Sequence, residues 1–393
     1  MTPEFAKAHG FERRAVTLAT WRTAPFSRWS FAHAAEVVPS AEIRAAAEQP
    51  ETALAQSPLL DRPMETGLAG HGTARDFLAY AHTDAFVMMR SGQVIAEHYA
   101  PHADVNQPHI VFSVSKSLTA LLIASLEADG LIDPNKPVTS LLPEAVGSAY
   151  GDCSIRDVLD MRVSLAFDEA YLNTDGAYAR YRRATLWNPA DPATPTETLL
   201  AFLLTLQKAD HAHGGAHFYA SPNSDLLGIL VERATGKRYA EVFSERLWKP
   251  LGAKNHAGVT VDAEGSARAA GGVSVTARDL ARVGEMVRNN GLVDGRQVVP
   301  QAWVADMLQA GDHQSWVDGK PNLLPNGRYR SQWYQSGEAD GAFCAIGIHG
   351  QWLYVDPSTE TVIVKLSSQP NPLDDELKQD NFAFFRALSG LNA

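Results

Sequence analysis

The stretch Ile110-Val111-Phe112-Ser113-Val114-Ser115-Lys116-Ser117-Leu118 is the one around which the chain is organised. Beyond it, Leu121, Leu122, Leu126 and Leu131 recur near the i, i+4 spacing. Thr119 to Leu131 therefore reads as a helix, with Gly130 where such a helix stops. With Ser113 opening that helix, Lys116 lies three residues on. Each helical residue turns about 100°, so the two side chains emerge roughly 60° apart, one turn above the other. A serine hydroxyl needs a base within hydrogen-bond reach, and a lysine serves when desolvation or positive neighbours keep it partly neutral. The helix N-terminus adds a backbone N–H and a dipole suited to an oxyanion. Ser-x-x-Lys at a helix start is thus a compact acylation device, and Ser113/Lys116 is its only occurrence in the chain. The same spacing also fits an N-cap followed by a solvated lysine, so residues elsewhere must decide.

At 393 residues the chain can bury a large core spread over two or three lobes. Its formal net charge of −11 argues against a nucleic-acid or anionic-membrane partner, which would want a basic face. The two cysteines, Cys153 and Cys344, have no metal spacing and read as free buried thiols of a reducing compartment. Met1 to Arg14 lacks the apolar run of a signal peptide, and no stretch is long enough to span a bilayer. A cytoplasmic location is expected.

Residues 1–80 form an N-terminal arm, with Trp21, Phe26, Trp29 and Phe31 scattered along it, running into the start of the α/β part. Ser40 is expected to cap a short helix there. Ala85–Met89 and Val94–Tyr99 flank Arg90-Ser91-Gly92-Gln93 as a hairpin. Residues 151–269 read as a mainly helical insertion, with Ser154 capping one helix and Gly236 closing another. In the tail, Ala345–Val355 and Thr361–Ser367 read as strands and Asp374–Leu388 as a helix. Asp312–Arg330, rich in Gly, Pro and Asn, reads as an irregular surface stretch. Residues 81–150 and 270–393 together make an α/β part. The expected class is α+β, an antiparallel sheet covered by helices with an inserted helical lobe.

Two further segments carry chemistry. Tyr219, in Phe218-Tyr219-Ala220-Ser221-Pro222-Asn223-Ser224, stands just before a helix. A tyrosine near an ammonium can ionise below its free pKa of about 10 and relay a proton, although a packed core tyrosine is the commoner case. Gly347-Ile348-His349-Gly350-Gln351 reads as a sheet-edge strand whose glycines let substrate approach the backbone; an ordinary glycine-containing hairpin strand fits it as well.

Ser-x-x-Lys, Tyr-x-Ser and His-Gly, in that order, give the chain a resemblance to the penicillin-recognising serine hydrolases. Within them it resembles the subgroup of class C β-lactamases, DD-peptidases, esterases and amidases of short linear oligomers. The likeness runs through Arg28-Trp29-Ser30-Phe31-Ala32-His33, Thr83-Asp84-Ala85-Phe86, Val231-Glu232-Arg233-Ala234-Thr235-Gly236, Gly271 to Gly284 and Val362 to Ser368. It implies a serine β-lactamase/transpeptidase-like fold, with Ser113 as nucleophile, Lys116 as general base and Tyr219 as proton donor to the leaving group. The N–H groups of Ser113 and Ile348 would form the oxyanion hole. Tyr171, Ser221, Trp333, Tyr334 and His349 would contact substrate. A homodimer is also implied, and no cofactor. Arg182 stands where related amidases carry an acidic residue for the substrate's amino end, and Ala270 replaces an Asn before the glycine pair. An arginine repels an ammonium, which counts against efficient cleavage of a linear amino-acid dimer.

Two other patterns are set aside. Glu169-Ala170-Tyr171-Leu172-Asn173 spells a class A β-lactamase motif but precedes Tyr219 instead of following it, and reads as coincidence. His211, His213 and His217 could converge on a metal, yet their intervening glycines suggest a solvated loop, and no metal is expected. The resulting expectation is a serine hydrolase acting on a small-molecule substrate. It would cleave amide bonds of short linear oligomers through an acyl-enzyme, the alternative being short-chain esters. Weak or absent β-lactam turnover is expected, because His349-Gly350-Gln351 offers no permanent cation.

Overall fold

The computed structural model describes residues 3–51, 54, 58–64, 70 and 72–391. The hairpin Thr83–Arg90 and Gln93–Tyr99, its first strand carrying the continuous apolar run Ala85–Met89 and buried along nearly its whole length, builds the edge of an antiparallel seven-stranded sheet. The spatial order is Gln93–Tyr99, Thr83–Arg90, Thr361–Ser367, Gln351–Asp356, Phe343–Gly347, Trp333–Gln335, Arg328–Arg330. Both faces are covered, because successive side chains point to opposite sides. Phe86, Met88, Tyr354 and Ile363 pack with Phe384 and Phe385 of the C-terminal helix Asp375–Gly390. Val87, Leu353, Val362 and Val364 pack on the other side with Leu280, Val283 and Val287 of the helix Ala277–Arg288. That helix lies close on the sheet because position 284 lacks a side chain: a Cβ there would sit 2.5 Å from Val362 Cγ1.

The helical insertion follows its capping signals. Ser154 and Asp157 form a reciprocal capping box on Ile155–Leu159, and Gly236 closes Ser221–Thr235 in the left-handed conformation. The strand Ala257–Thr260 also lies within 151–269, and it pairs with Ser40–Ile43. Ser40 is thus a strand residue and not a helix cap. Ile43 is fully buried by that pairing, and four residues of weak local preference yield to it. These two strands join Val273–Val275 and His109–Ile110 in a four-stranded sheet that delivers the chain to Ser113. The arm is anchored by Trp21 and Phe31, packed with Phe112 and Trp187 in a separate apolar cluster.

Two other expectations change. Ala345–Val355 is not one strand: Phe343–Gly347 and Gln351–Asp356 are separate, and His349 and Gly350 turn between them with φ of 60° and 84°. The 347–351 segment is consequently a turn inside the sheet, not an edge strand. Asp312–Arg330 carries the helix His313–Asp318 and the strand Arg328–Arg330, and it walls the main cleft. Cys153 and Cys344 are both free and buried, and burial pushes the Cys153 thiol up to about 12. Among the described residues no helix is long and apolar enough to cross a membrane.

Candidate active site

Ser113 ends a sharp turn between the strand His109–Ile110 and the helix Val114–Ala128, and Phe112 before it is held at φ 43°. Ser113 is the N-cap residue, but its side chain makes no cap bond and remains available. One turn on, Lys116 Nζ lies 2.9 Å from Ser113 Oγ, 3.0 Å from Ser221 Oγ and 2.6 Å from the Ala270 carbonyl oxygen. The amine is completely buried, and desolvation lowers its pKa to about 7, against the opposing pull of Glu169 and Asp225. A substantial neutral fraction therefore exists at neutral pH, which a general base requires.

The Ala270 carbonyl is itself fixed. Ala270 N–H donates to Asp225 Oδ1 at 2.7 Å, and Asp225 pairs with Arg268 and accepts from the Tyr181 hydroxyl. All three side chains are buried, so the pair acts as a rigid strut behind the lysine.

Tyr219 meets Lys116 from the insertion, with Nζ 5.1 Å from its ring centroid, and Ser113 and Tyr334 lie within hydrogen-bonding reach of its phenol. Burial raises its pKa well above 10, with smaller contributions from Tyr334 and Glu169. The expected lowering does not occur, because desolvation outweighs a lysine that is itself only partly charged. Tyr219 thus lines the cleft as a protonated phenol. The helix Ser221–Thr235 begins two residues later and fixes both Tyr219 and Ser221.

Opposite Ser113 runs the 347–351 turn. A Cβ at Gly347 would lie 2.6 Å from the Val111 carbonyl oxygen and 3.1 Å from Ser113 N, so only glycine lets the two backbones meet. The N–H groups of Ser113 and Ile348 flank this contact, and neither has an acceptor among the described residues. Two free donors beside a nucleophile can hold a carbonyl oxygen as it gains charge.

The cleft these groups open into has a volume of about 430 Å³ and is lined by Ser113, Tyr171, Tyr219, Trp316, Tyr334 and Ile348, among others. Three expected contacts lie elsewhere, and the first is Ser221, which is buried between Lys116 and Glu169. Trp333 is fully buried against Phe343, because its neighbour Tyr334 takes the cleft face of the strand. His349 is buried behind the turn, with Nδ1 2.7 Å from the Gln369 carbonyl and its ring on Phe31 and Phe112; burial lowers its pKa to about 4. The three loop histidines diverge. His211 is exposed, His213 Nε2 lies 2.8 Å from Asp152, and His217 packs between Trp316 and Tyr329.

Glu169 is the residue that sequence reasoning missed. Its carboxylate accepts from Ser221 N–H and Ser221 Oγ–H, both at 2.6 Å, and from the Tyr171 hydroxyl. Ser221 is in turn the Lys116 partner, so Glu169 belongs to the site through one hydroxyl. Its position ahead of Tyr219 in the chain concealed this, and only the spatial return of the insertion brings the two together.

Known proteins share this chain's sequence pattern and fold. Residues 39–387 match the Beta-lactamase family. The 6-aminohexanoate-dimer hydrolase of Paenarthrobacter ureafaciens is 39% identical over 357 residues, 91% of this chain and 89% of that protein. A solved Bacillus anthracis structure, described as a candidate 6-aminohexanoate-dimer hydrolase, superposes with a TM-score of 0.87 at 25% identity over 96% of this chain and 97% of that one. A family VIII carboxylesterase shares the fold at a TM-score of 0.62 and 15% identity, over 86% of this chain and 99% of its own. The expected β-lactamase/transpeptidase-like α+β fold and hydrolase class therefore stand, and the chain belongs to the Beta-lactamase family of serine hydrolases.

Proposed function

We propose that the protein cleaves amide bonds of short linear oligomers through an acyl-enzyme on Ser113. The observation that carries this is the 2.9 Å contact between Ser113 Oγ and a buried Lys116 whose pKa is lowered to about 7, on the wall of an open cleft. Lys116 takes the Ser113 proton as Oγ bonds to the substrate carbonyl carbon. The oxyanion rests on the N–H groups of Ser113 and Ile348. As the carbon–nitrogen bond breaks, Tyr219 protonates the departing amine and recovers its proton from Lys116. Water then attacks the acyl-enzyme with Lys116 again as base, and the carboxylic acid leaves. Tyr171 and Tyr334 bound the space where the substrate chain lies. The similarity to the Paenarthrobacter enzyme supports an amide over an ester, since its name describes an amide dimer.

The test is hydrolysis of a linear 6-aminohexanoate dimer and of p-nitrophenyl butyrate by purified protein, with mass spectrometry of Ser113 after a fluorophosphonate probe. Amide turnover with an adduct on Ser113 is expected. Ester turnover alone would make the protein a carboxylesterase, and the absence of any adduct would remove the mechanism.

A further inference from the structure

Arg268, Arg22 and Arg182 lie near the nucleophile, and among the described residues only Arg268 has a carboxylate. Arg268 is paired with Asp225. Arg22 donates through Nη2 to the Trp187 carbonyl at 3.3 Å and to Asn188 Oδ1, but its Nε is buried without an acceptor. Arg182, in the helix Gly176–Ala184, places its Cζ 4.3 Å from the Tyr178 ring centroid, and its Nε is likewise buried without an acceptor. Among the described residues neither Arg22 nor Arg182 forms an ion pair. They are close enough to repel: Arg22 has its pKa lowered to about 9, first by burial and next by Arg182. Glu169, which acts electrostatically on the same Tyr178, is already engaged by Tyr171 and Ser221.

Two unpaired cations side by side in a poorly solvated place are costly unless an anion completes them. Their surroundings say where that anion would sit. Arg22 lies over Trp21 and Trp187, whose rings both pack on Phe112, the residue before Ser113. Arg182 lies over Tyr178, whose ring is 5.2 Å from that of the cleft residue Tyr171. Both arginines act on His349, which follows the Ile348 donor. Each keeps part of its surface open, so a solute can reach it.

We propose that Arg22 and Arg182 form a carboxylate-binding subsite beside Tyr171 and Tyr178, so that the preferred substrates are amides or esters bearing a second, free carboxylate. This rests on the acyl-transfer reading of Ser113 and specifies its substrate class. A planar carboxylate matches guanidinium geometry and relieves the repulsion between the two cations. The carboxylate can belong to the acyl half, as in a monoester of a short dicarboxylic acid, or to the amine half, as in an N-acyl amino acid.

Two matched pairs distinguish these sources. The first is p-nitrophenyl hydrogen glutarate against p-nitrophenyl pentanoate. The second is N-hexanoyl-6-aminohexanoate against N-hexylhexanamide. At least about a tenfold higher kcat/KM for the charged member of one pair is expected, shrinking in about 0.5 M salt. Arg182→Ala should reduce that ratio about tenfold. Ratios within about twofold of unity in both pairs would overturn the proposal. Calorimetric titration with glutarate, wild type against Arg182→Ala, reads the subsite without turnover and without the neutral substrates. Glutarate binding with no Ser113 adduct would sink the catalytic reading and leave the subsite standing. If Arg182→Ala does not fold, the wild-type ratios and their salt dependence decide.

Discussion

Among the described residues two fully buried lysines, Lys116 and Lys365, bond serine hydroxyls, and of those hydroxyls only that of Ser113 opens onto the cleft. Lys365 Nζ lies 2.7 Å from Ser367 Oγ and 3.1 Å from the Ala81 carbonyl, and Lys116 Nζ lies 2.9 Å from Ser113 Oγ. Desolvation lowers both amines to about 7. By titration alone the pairs are equivalents. They differ in what surrounds the hydroxyl. Ser113 stands at a helix N-terminus on the cleft, with two unused amide donors and a phenol beside it. Ser367 is fully buried in a strand, its own N–H donating to Gln351 Oε1, and it does not line the cleft. A perturbed lysine thus marks burial; reactivity needs access, an oxyanion site and a proton donor as well.

The largest test of that contrast exchanges the hydroxyls. Ser113→Ala should lower kcat/KM by about 10⁴-fold or more, whereas Ser367→Ala should change it by no more than about twofold. An equal loss from both would erase the distinction. Next come the amines. Lys116→Met should cost about 10³-fold in kcat with the fold retained by circular dichroism. Lys365→Met should retain turnover but lose about 1–3 kcal/mol in urea titration, since it strands the buried Ala81 carbonyl and the Ser367 hydroxyl.

A pH series sharpens the comparison further. The base must be neutral, and Lys116 gains its proton as pH falls through about 7. The rate constant kcat/KM should therefore fall about tenfold per unit below about pH 6 and level off above about 8. A flat profile from pH 5 to 8 would assign the base elsewhere. Among the residues around Lys116 the smallest loss expected is that of Glu169→Gln, about tenfold in kcat, because Ser221 loses a charged acceptor. Tyr171 bonds the same carboxylate, so a double-mutant cycle with Tyr171→Phe should show coupling.

Much of this arrangement was legible from residue types and spacing. Helical spacing put Ser113 and Lys116 on one face, the later motifs gave that pair its meaning, and two apolar runs flanking Arg90-Ser91-Gly92-Gln93 marked the hairpin at residues 83–99. Other parts were hidden for physical reasons. Glu169 reaches Ser221 across an insertion, and nothing local distinguishes it from a surface carboxylate. Trp333 and Tyr334 read together as substrate contacts, but neighbours on a strand face opposite ways, and the structure sends Trp333 to the core. The polar composition of Asp312–Arg330 suggested a surface loop, whereas Trp316, Leu323 and Leu324 turn inward to wall the cleft. Ser40 has the capping chemistry of a helix start, yet pairing with Thr260 decides its conformation. The raised pKa of Tyr219 depends on enclosure, which composition does not encode.

The hydroxyl of Ser221 has a further consequence, one of valence counting. Its single hydrogen is committed to Glu169, so towards Lys116 it can offer only a lone pair. The Ala270 oxygen likewise only accepts. A neutral amine owns two hydrogens, and these two acceptors claim both. The remaining electron pair then has one direction left, towards Ser113, so the order of hydrogens around one nitrogen sets the direction in which the proton departs.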